Sequence, residues 1–245
     1  MKGEFMPSQF ERERTPLEAD YFVALDMDGT LLKSHELTPL VAEYFIHDEA
    51  LRRRSIEAIE RQRGKDFDSF TYLAGVSGID LELIDTDALV SNLIEENNLD
   101  DLRSRLLMPG ADAISRSLRR HDIPHGVLTK GGRIFQTFKL DLLRYLIGEP
   151  HLAAMITDVD AKSRYIEEQW WDESSERFVI PRELAPDRPV HAKNVMMVDD
   201  KRTHLVSDHR HLHGYHIDTM TVEDLIGDLE EGRLGPISES TLPHD

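Results

Sequence analysis

The sequence predicts an α/β protein: a Rossmann-like parallel sheet core with an all-helical domain inserted after its first strand. Three observations carry that reading. The apolar run Tyr21-Phe22-Val23-Ala24-Leu25 ends abruptly in Asp26-Met27-Asp28-Gly29, as a strand buried on both faces of a parallel sheet does. Beyond Pro109-Gly110, helical and strand-like patterns alternate, the signature of parallel strands joined by helices. Between these parts, 38–107 carries helical periodicity punctuated by Gly64, Gly75 and Gly78.

Taken in order, residues 1–20 are polar and interrupted by Pro7 and Pro16, so they read as a flexible N-terminal extension, with the fold beginning at Tyr21. The core domain is expected over 21–37 and 108–234. The helical domain over 38–107 contains three helical stretches: VAEYFIHDEALRRRSIEAIERQRG, DSFTYLAGV and DALVSNLIEENNLDDLRSRLL. The core then continues as helix ADAISRSLRRH, strand HGVLT, helix RIFQTFKLDLLRYLIG, strand LAAMIT, helix AKSRYIEEQWW, strand NVMMVDD and a last strand near YHIDTM. Trp170, Trp171 and Phe178 read as the packing of an inserted hairpin. Residues 235–245 read as a flexible tail.

Composition narrows the function. With 29 Lys+Arg against 47 Asp+Glu the net charge is −18, which disfavours nucleic acid and anionic membranes as partners. The absence of cysteine excludes disulfides, thiolate zinc sites and a thiol nucleophile. The N-terminal stretch lacks the apolar core of a signal peptide, and the chain is expected to be cytoplasmic.

In an open parallel sheet, ligands bind outside the carboxyl ends of the strands. There the sequence offers Asp26-Met27-Asp28-Gly29-Thr30, then Thr129-Lys130-Gly131-Gly132, then Asp199-Asp200, with Lys162 opening the helix after the third strand. Carboxylates so crowded need a hard divalent cation to offset their repulsion, and Mg²⁺ is the expected cofactor.

The order and spacing of these residues resemble the haloacid dehalogenase-like superfamily over about 21–220. Asp26, Asp28 and Thr30 match its Asp-x-Asp-x-Thr motif, Thr129 its second-strand hydroxyl, Lys162 its lysine, and Asp199 and Asp200 its paired acids. Lys130 stands where an Asn often follows the hydroxyl. The resemblance implies an Mg²⁺-dependent phosphatase acting on a small phosphorylated metabolite, with the inserted helices as a cap. Asp26 would be the nucleophile, and Asp28 the group that protonates the leaving alcohol and deprotonates water. Dehalogenases of this superfamily lack that second acid. Thr129 and backbone N–H groups near Gly131 would hold phosphoryl oxygens, with Gly29, Thr30 and Lys130 around the substrate, and Lys162 would offset negative charge. The metal would lie among Asp26, Asp28, Asp199 and Asp200, bound directly by Asp200 and supported by Asp199 from a second layer. A phosphomutase would use the same residues, and a non-catalytic regulatory module could retain the fold.

Other features read as structural. Arg52, Arg53, Arg54, Arg61, Arg63 and Lys65 form a solvated helix face, given the Glu49–Arg53 and Glu57–Arg61 spacings. Gly64-Lys65-Asp66-Phe67 is a weaker candidate for substrate contact. His209, His211, His213 and His216 read as solvent-exposed, and His35 as a surface residue.

Overall fold

A computed structural model describes residues 15–62, 67–217 and 221–231. The strands are β1 (Leu17–Leu25), β2 (His125–Lys130), β3 (Ala154–Thr157), β4 (Trp171–Asp172), β5 (Arg177–Val179), β6 (Val190–Asp199) and β7 (Leu212–His216). Five of them run parallel in the order β3-β2-β1-β6-β7. The chain fills one side of β1 with β2 and β3 and the other with β6 and β7, so a crevice opens beyond the carboxyl ends of β1 and β6. The register Leu25↔Val198 and the Asp26 N–H donating to the Val198 carbonyl at 2.8 Å set Asp26 beside Asp199.

β1 starts at Leu17, ahead of the expected Tyr21. The cause is the length of β6, which offers ladder partners as far as Leu17↔Val190, while Leu17 and Ala19 pack on the core. The predicted extension therefore ends in strand; its residues 1–14 and the predicted tail 235–245 lie outside the described residues. The β4–β5 hairpin adds antiparallel to the first half of β6 through Phe178↔Ala192, and pairs Trp171 with Phe178 as its aromatic pattern suggests.

Between β1 and β2 lie α1 (Ser34–Phe45), α2 (Glu49–Glu60), α3 (Ser69–Ser77), α4 (Thr86–Glu96) and α5 (Leu99–Leu106). Two of the expected long helices are each split in two. Asp48 caps α2 by accepting from the Leu51 N–H at 2.7 Å, and Asn98 caps α5 by accepting from the N–H groups of Asp100 and Asp101. The chain enters and leaves this block side by side: the Lys33 N–H donates to Leu106 (2.7 Å) and the Met108 N–H to Leu31 (3.0 Å). The core adds α6 (Ala111–Arg120), α7 (Arg133–Ile147), α8 (Lys162–Trp170) and α9 (Val222–Glu231). No described helix is long and apolar enough to cross a membrane.

Alternation along β1 builds a core on each face of the sheet. Val23 and Leu25 join a cluster containing Phe45, Phe70 and Leu93 of the helical block and Phe138 of α7, whereas Phe22 and Ala24 face Ile166, Trp170 and Phe178. Full burial of such side chains is worth about 1.5–3 kcal/mol each. Phe70 stacks on Phe135 (5.2 Å between ring centres) and Phe138 (5.6 Å), binding the block to α7.

The histidine row is not the solvated edge that its sequence suggested. His209 lies 4.4 Å from the Trp171 ring, His211 stacks on the same ring at 5.6 Å, and His213 is buried beside Tyr21. The hairpin supplies the aromatic surface that covers His209 and His211, and β1 supplies the ring beside His213.

At the opposite end of the sheet, the carboxylate of Glu149 accepts from the Ser115 hydroxyl, bonds His125 Nε2 at 3.2 Å and approaches Arg119 at 3.8 Å. Burial pushes its carboxyl up, but His125, Ser115 and Arg119 outweigh that and hold it below its ordinary value. A depressed folded value means stability that is present above the unfolded pKa, near 4.5, and is lost as pH falls through the folded one. Urea unfolding between pH 6 and 3 should therefore show a shallower acid loss of stability for Glu149→Gln than for the parent; equal slopes would remove Glu149 from the acid response.

Candidate active site

The carboxyl ends of β1, β2 and β6 open into a cavity of about 700 Å³, bounded opposite by residues of the helical block including His35, Thr38, Ile59, Phe67 and Asp68. Its volume suits a small ligand. At the sheet end, ligand oxygens of Asp26, Asp199 and Asp200 lie within 4.8 Å of one another. Lys162, first residue of α8, reaches back into this group: its buried ammonium bonds Asp26 and, at 3.1 Å, Asp199. Burial disfavours the ammonium, yet the two carboxylates outweigh it and raise its pKa.

The three acids differ in their surroundings. Burial pushes the Asp26 carboxyl up to about 7, with Asp199 and Asp28 adding to the effect and Lys162 opposing it. Asp199 is fully buried and accepts from Lys162, from the Lys201 N–H (2.8 Å) and, with the proton on Nδ1, from His204 (3.0 Å). Burial opposes its charge, but these partners bring it down to about 2. Asp200 lacks such support: its Oδ1 is buried without a hydrogen-bond partner, and burial and Asp199 raise its pKa. Asp200 thus keeps a buried oxygen unpartnered in a group of three acids whose ligand oxygens lie close together, a donor set of the kind a hard cation takes.

Asp28 departs from expectation. Its carboxylate is not part of the three-acid group; it bonds Lys139 Nζ at 2.7 and 2.6 Å, Gln136 Nε2 at 3.2 Å and the Ser34 hydroxyl. The reason is charge: the ammonium of Lys139 neutralises Asp28 locally. Burial works to raise the Asp28 pKa, and Lys139, Ser34 and Gln136 together bring it below its ordinary value.

The expected phosphoryl donors are also arranged differently. The Gly131 N–H donates to the Thr157 carbonyl (3.3 Å), and the Thr129 hydroxyl donates to Gln136 Oε1 (3.3 Å). The Lys130 ammonium lines the cavity but is held by Asp160 at 2.5 Å. The Thr30 hydroxyl is buried without a hydrogen-bond partner. Gly29 lines the cavity at φ +83°, where a Cβ would overlap the Asp200 carboxylate. Gly29→Ala should therefore cost about 1–2 kcal/mol from the left-handed backbone alone, with a further cost from displacing the Asp200 carboxylate. Thermal melts check this, and an alanine variant that melts with the parent contradicts it.

Gln136 and His204 were missed in the sequence because each sits within a helical segment, away from the strand-end positions that drew attention to the acids, while Lys139 is, with Lys130 and Lys193, one of the lysines the sequence offers as alternatives to Lys162. His35 is exposed but lines the cavity, as does Phe67; Gly64, Lys65 and Asp66 lie outside the described residues, as does Arg63. Arg53, Arg54 and Arg61 are exposed, and Arg52 approaches Glu43 at 3.7 Å, consistent with a solvated face.

No family model and no curated protein matches the chain. Among solved structures, the chain is similar to haloacid dehalogenase-like hydrolases. One, from Burkholderia xenovorans LB400, shares 19% identity, with 87% of this chain and 96% of that chain covered and a TM-score of 0.49. A hydrolase from Pseudomonas syringae shares 15% over 87% and 98% of the two chains (TM-score 0.40). A HAD family hydrolase from Deinococcus radiodurans R1, solved with bound phosphate and sodium, shares 17% over 89% and 99% (TM-score 0.36).

Proposed function

We propose that this chain is a haloacid dehalogenase-like phosphatase that uses Mg²⁺ to hydrolyse a small phosphomonoester through an aspartyl-phosphate on Asp26. One observation carries the reading: Asp26 lines the cavity, bonded by Lys162 and grouped with Asp199 and with Asp200, one of whose oxygens has no partner. Asp26 and Asp200 would hold the cation directly, with Asp199 fixed beneath them by Lys162, His204 and the Lys201 amide. When bound, Mg²⁺ supplies charge neutralisation for the phosphoryl oxygens.

The chain's own residues supply the rest. An Asp26 oxygen attacks phosphorus as the ester P–O bond breaks, and the leaving oxygen takes a proton from the minor fraction of Asp28 that is protonated or, where the leaving group is a weak base, departs as the anion. Water then attacks the aspartyl-phosphate, Asp28 takes its proton, and phosphate leaves with Asp26 regenerated. Lys162 offsets negative charge in both steps. Because Lys139 favours ionised Asp28, substrates with good leaving groups should turn over faster than alkyl phosphates. The helical block would act as a cap whose residues, Phe67 and Asp68 among them, meet the non-phosphate part of the substrate.

The test is a panel of phosphorylated metabolites and aryl phosphates assayed for inorganic phosphate, with Mg²⁺ or EDTA and with Asp26→Asn as the blank. Mg²⁺-dependent release that the blank lacks is expected; no release from any substrate would sink the reading. The cation site can be tested without a substrate. Mg²⁺ at about 100 times its dissociation constant should add roughly 2.7 kcal/mol of stability. Asp200→Asn should melt at or above the parent in EDTA, through relief of repulsion, and respond far less to Mg²⁺, with NaCl of equal ionic strength as control. A full Mg²⁺ response in that variant would contradict the site.

A further inference from the structure

The surroundings of Asp28 are built in more detail than a strand-end acid requires. Gln136 and Lys139 lie three residues apart on α7, so both project from one face of the helix. Both are buried. Gln136 is spent on three partners at once: its amide N–H groups donate to the Lys130 carbonyl (2.7 Å) and to Asp28 (3.2 Å), and its oxygen accepts from Thr129. Lys139 lies 4.4 Å from the Phe135 ring centre and bonds both oxygens of Asp28. Burying an ammonium is costly unless it is well paired, and this one is aimed at a single carboxylate on the cavity wall.

We propose that Gln136 and Lys139 are positioning residues for Asp28: they hold its carboxylate out of the Asp26–Asp199–Asp200 group and beside the cavity, keeping the proton-transferring acid apart from the cation ligands. The inference rests on the phosphatase reading above. Its physical basis is competition for one mobile carboxylate. Asp28 lies two residues from Asp26, so a cation held by the three acids would attract it. Two bonds from Lys139 and one from Gln136 supply the opposing pull. A direct role for Lys139 in holding a substrate anion fits less well, because its side chain is only 3% exposed and an incoming anion would have to displace Asp28.

The experiment is a double-mutant cycle on the full chain with Mg²⁺, using an aryl phosphate, whose leaving group needs no proton from Asp28 so that only the geometry of its later proton transfer from water is read, and variants Asp28→Asn, Lys139→Met and the pair combined. Lys139→Met is expected to lower kcat by at least about tenfold, part of the 10²–10⁴-fold typical of acid–base groups, with KM little changed. In the Asp28→Asn background it should change neither. An equal loss in both backgrounds, or a loss carried by KM, overturns the proposal and assigns Lys139 to structure or to substrate binding. If Lys139→Met fails to fold because the half-buried Asp28 is left without its counter-charge, the combined variant still decides. It carries neither charge and should match Asp28→Asn alone, whereas a further tenfold loss in kcat overturns the inference. If the parent hydrolyses nothing, the phosphatase reading has failed on its own, and a crystal structure of Lys139→Met, or of Lys139→Gln should the former not fold, tests the positioning. The Asp28 carboxylate leaving Gln136 and Ser34 supports it, and the carboxylate remaining on both overturns it.

Discussion

Asp26→Asn is expected to abolish phosphate release while leaving the protein folded. The substitution keeps the shape of the side chain and removes the group proposed to form the covalent intermediate, and loss of a catalytic nucleophile elsewhere costs on the order of 10⁶ in kcat. Folding should survive because the lost charge is one that burial already disfavours, with the pKa of Asp26 pushed up to about 7. Lys162 keeps Asp199 as its partner. Circular dichroism and a melting curve establish the fold, and single-turnover assays with labelled substrate look for phosphate on the protein. Appreciable turnover by a folded Asp26→Asn protein would overturn the mechanism.

Lys162→Met has two separable effects. At the active site it removes the cation that faces both Asp26 and Asp199, and turnover should fall by about 10²–10³-fold, the scale of one lost electrostatic contact to a developing charge. In the fold it leaves two buried carboxylates without their shared counter-charge, a change that typically costs about 3–5 kcal/mol. Mg²⁺ should restore part of that stability, because the cation supplies positive charge at the same acids, whereas turnover should stay low. Lys130→Met should cost far less in both respects, since Lys130 is tied to Asp160 at the cavity mouth. The reverse ranking of the two lysines in turnover would move the catalytic assignment to Lys130.

The parallel core was legible because buried parallel strands leave a strong trace: an apolar run that stops at a carboxylate. Asp26, Asp199 and Asp200 were found by that rule and Lys162 by its place at the start of the helix after the third strand, and the structure brings them together. The breaks at Asp48 and Asn98 were also written in the sequence, as capping residues inside an otherwise periodic stretch, but the period alone ran across them. Gln136 and Lys139 left no such trace. Both lie inside a helix, away from any strand end, and only the approach of α7 to the end of β1 brings them to the site. The Gly131 amide was misjudged for a related reason: a strand-end glycine suggests a free donor, and the neighbouring strand supplies the Thr157 carbonyl that takes it.

The aromatic stack between the helical block and α7 has a mechanical consequence. Phe70 rests on Phe135, Phe135 lies under the Lys139 ammonium, and Lys139 grips Asp28, so four side chains form an unbroken linkage from α3 to the cavity floor. Aromatic pairs of this kind are worth about 0.5–1.5 kcal/mol beyond the area they bury, which makes the linkage stiff at its outer end. The block cannot tilt away from the sheet without either parting Phe70 from Phe135 or dragging α7 with it. Exchanging the block for one of different shape, as a route to new specificity, therefore carries a condition: whatever replaces Phe70 must press on Phe135 in the same place, or the acid at the other end of the linkage loses its aim.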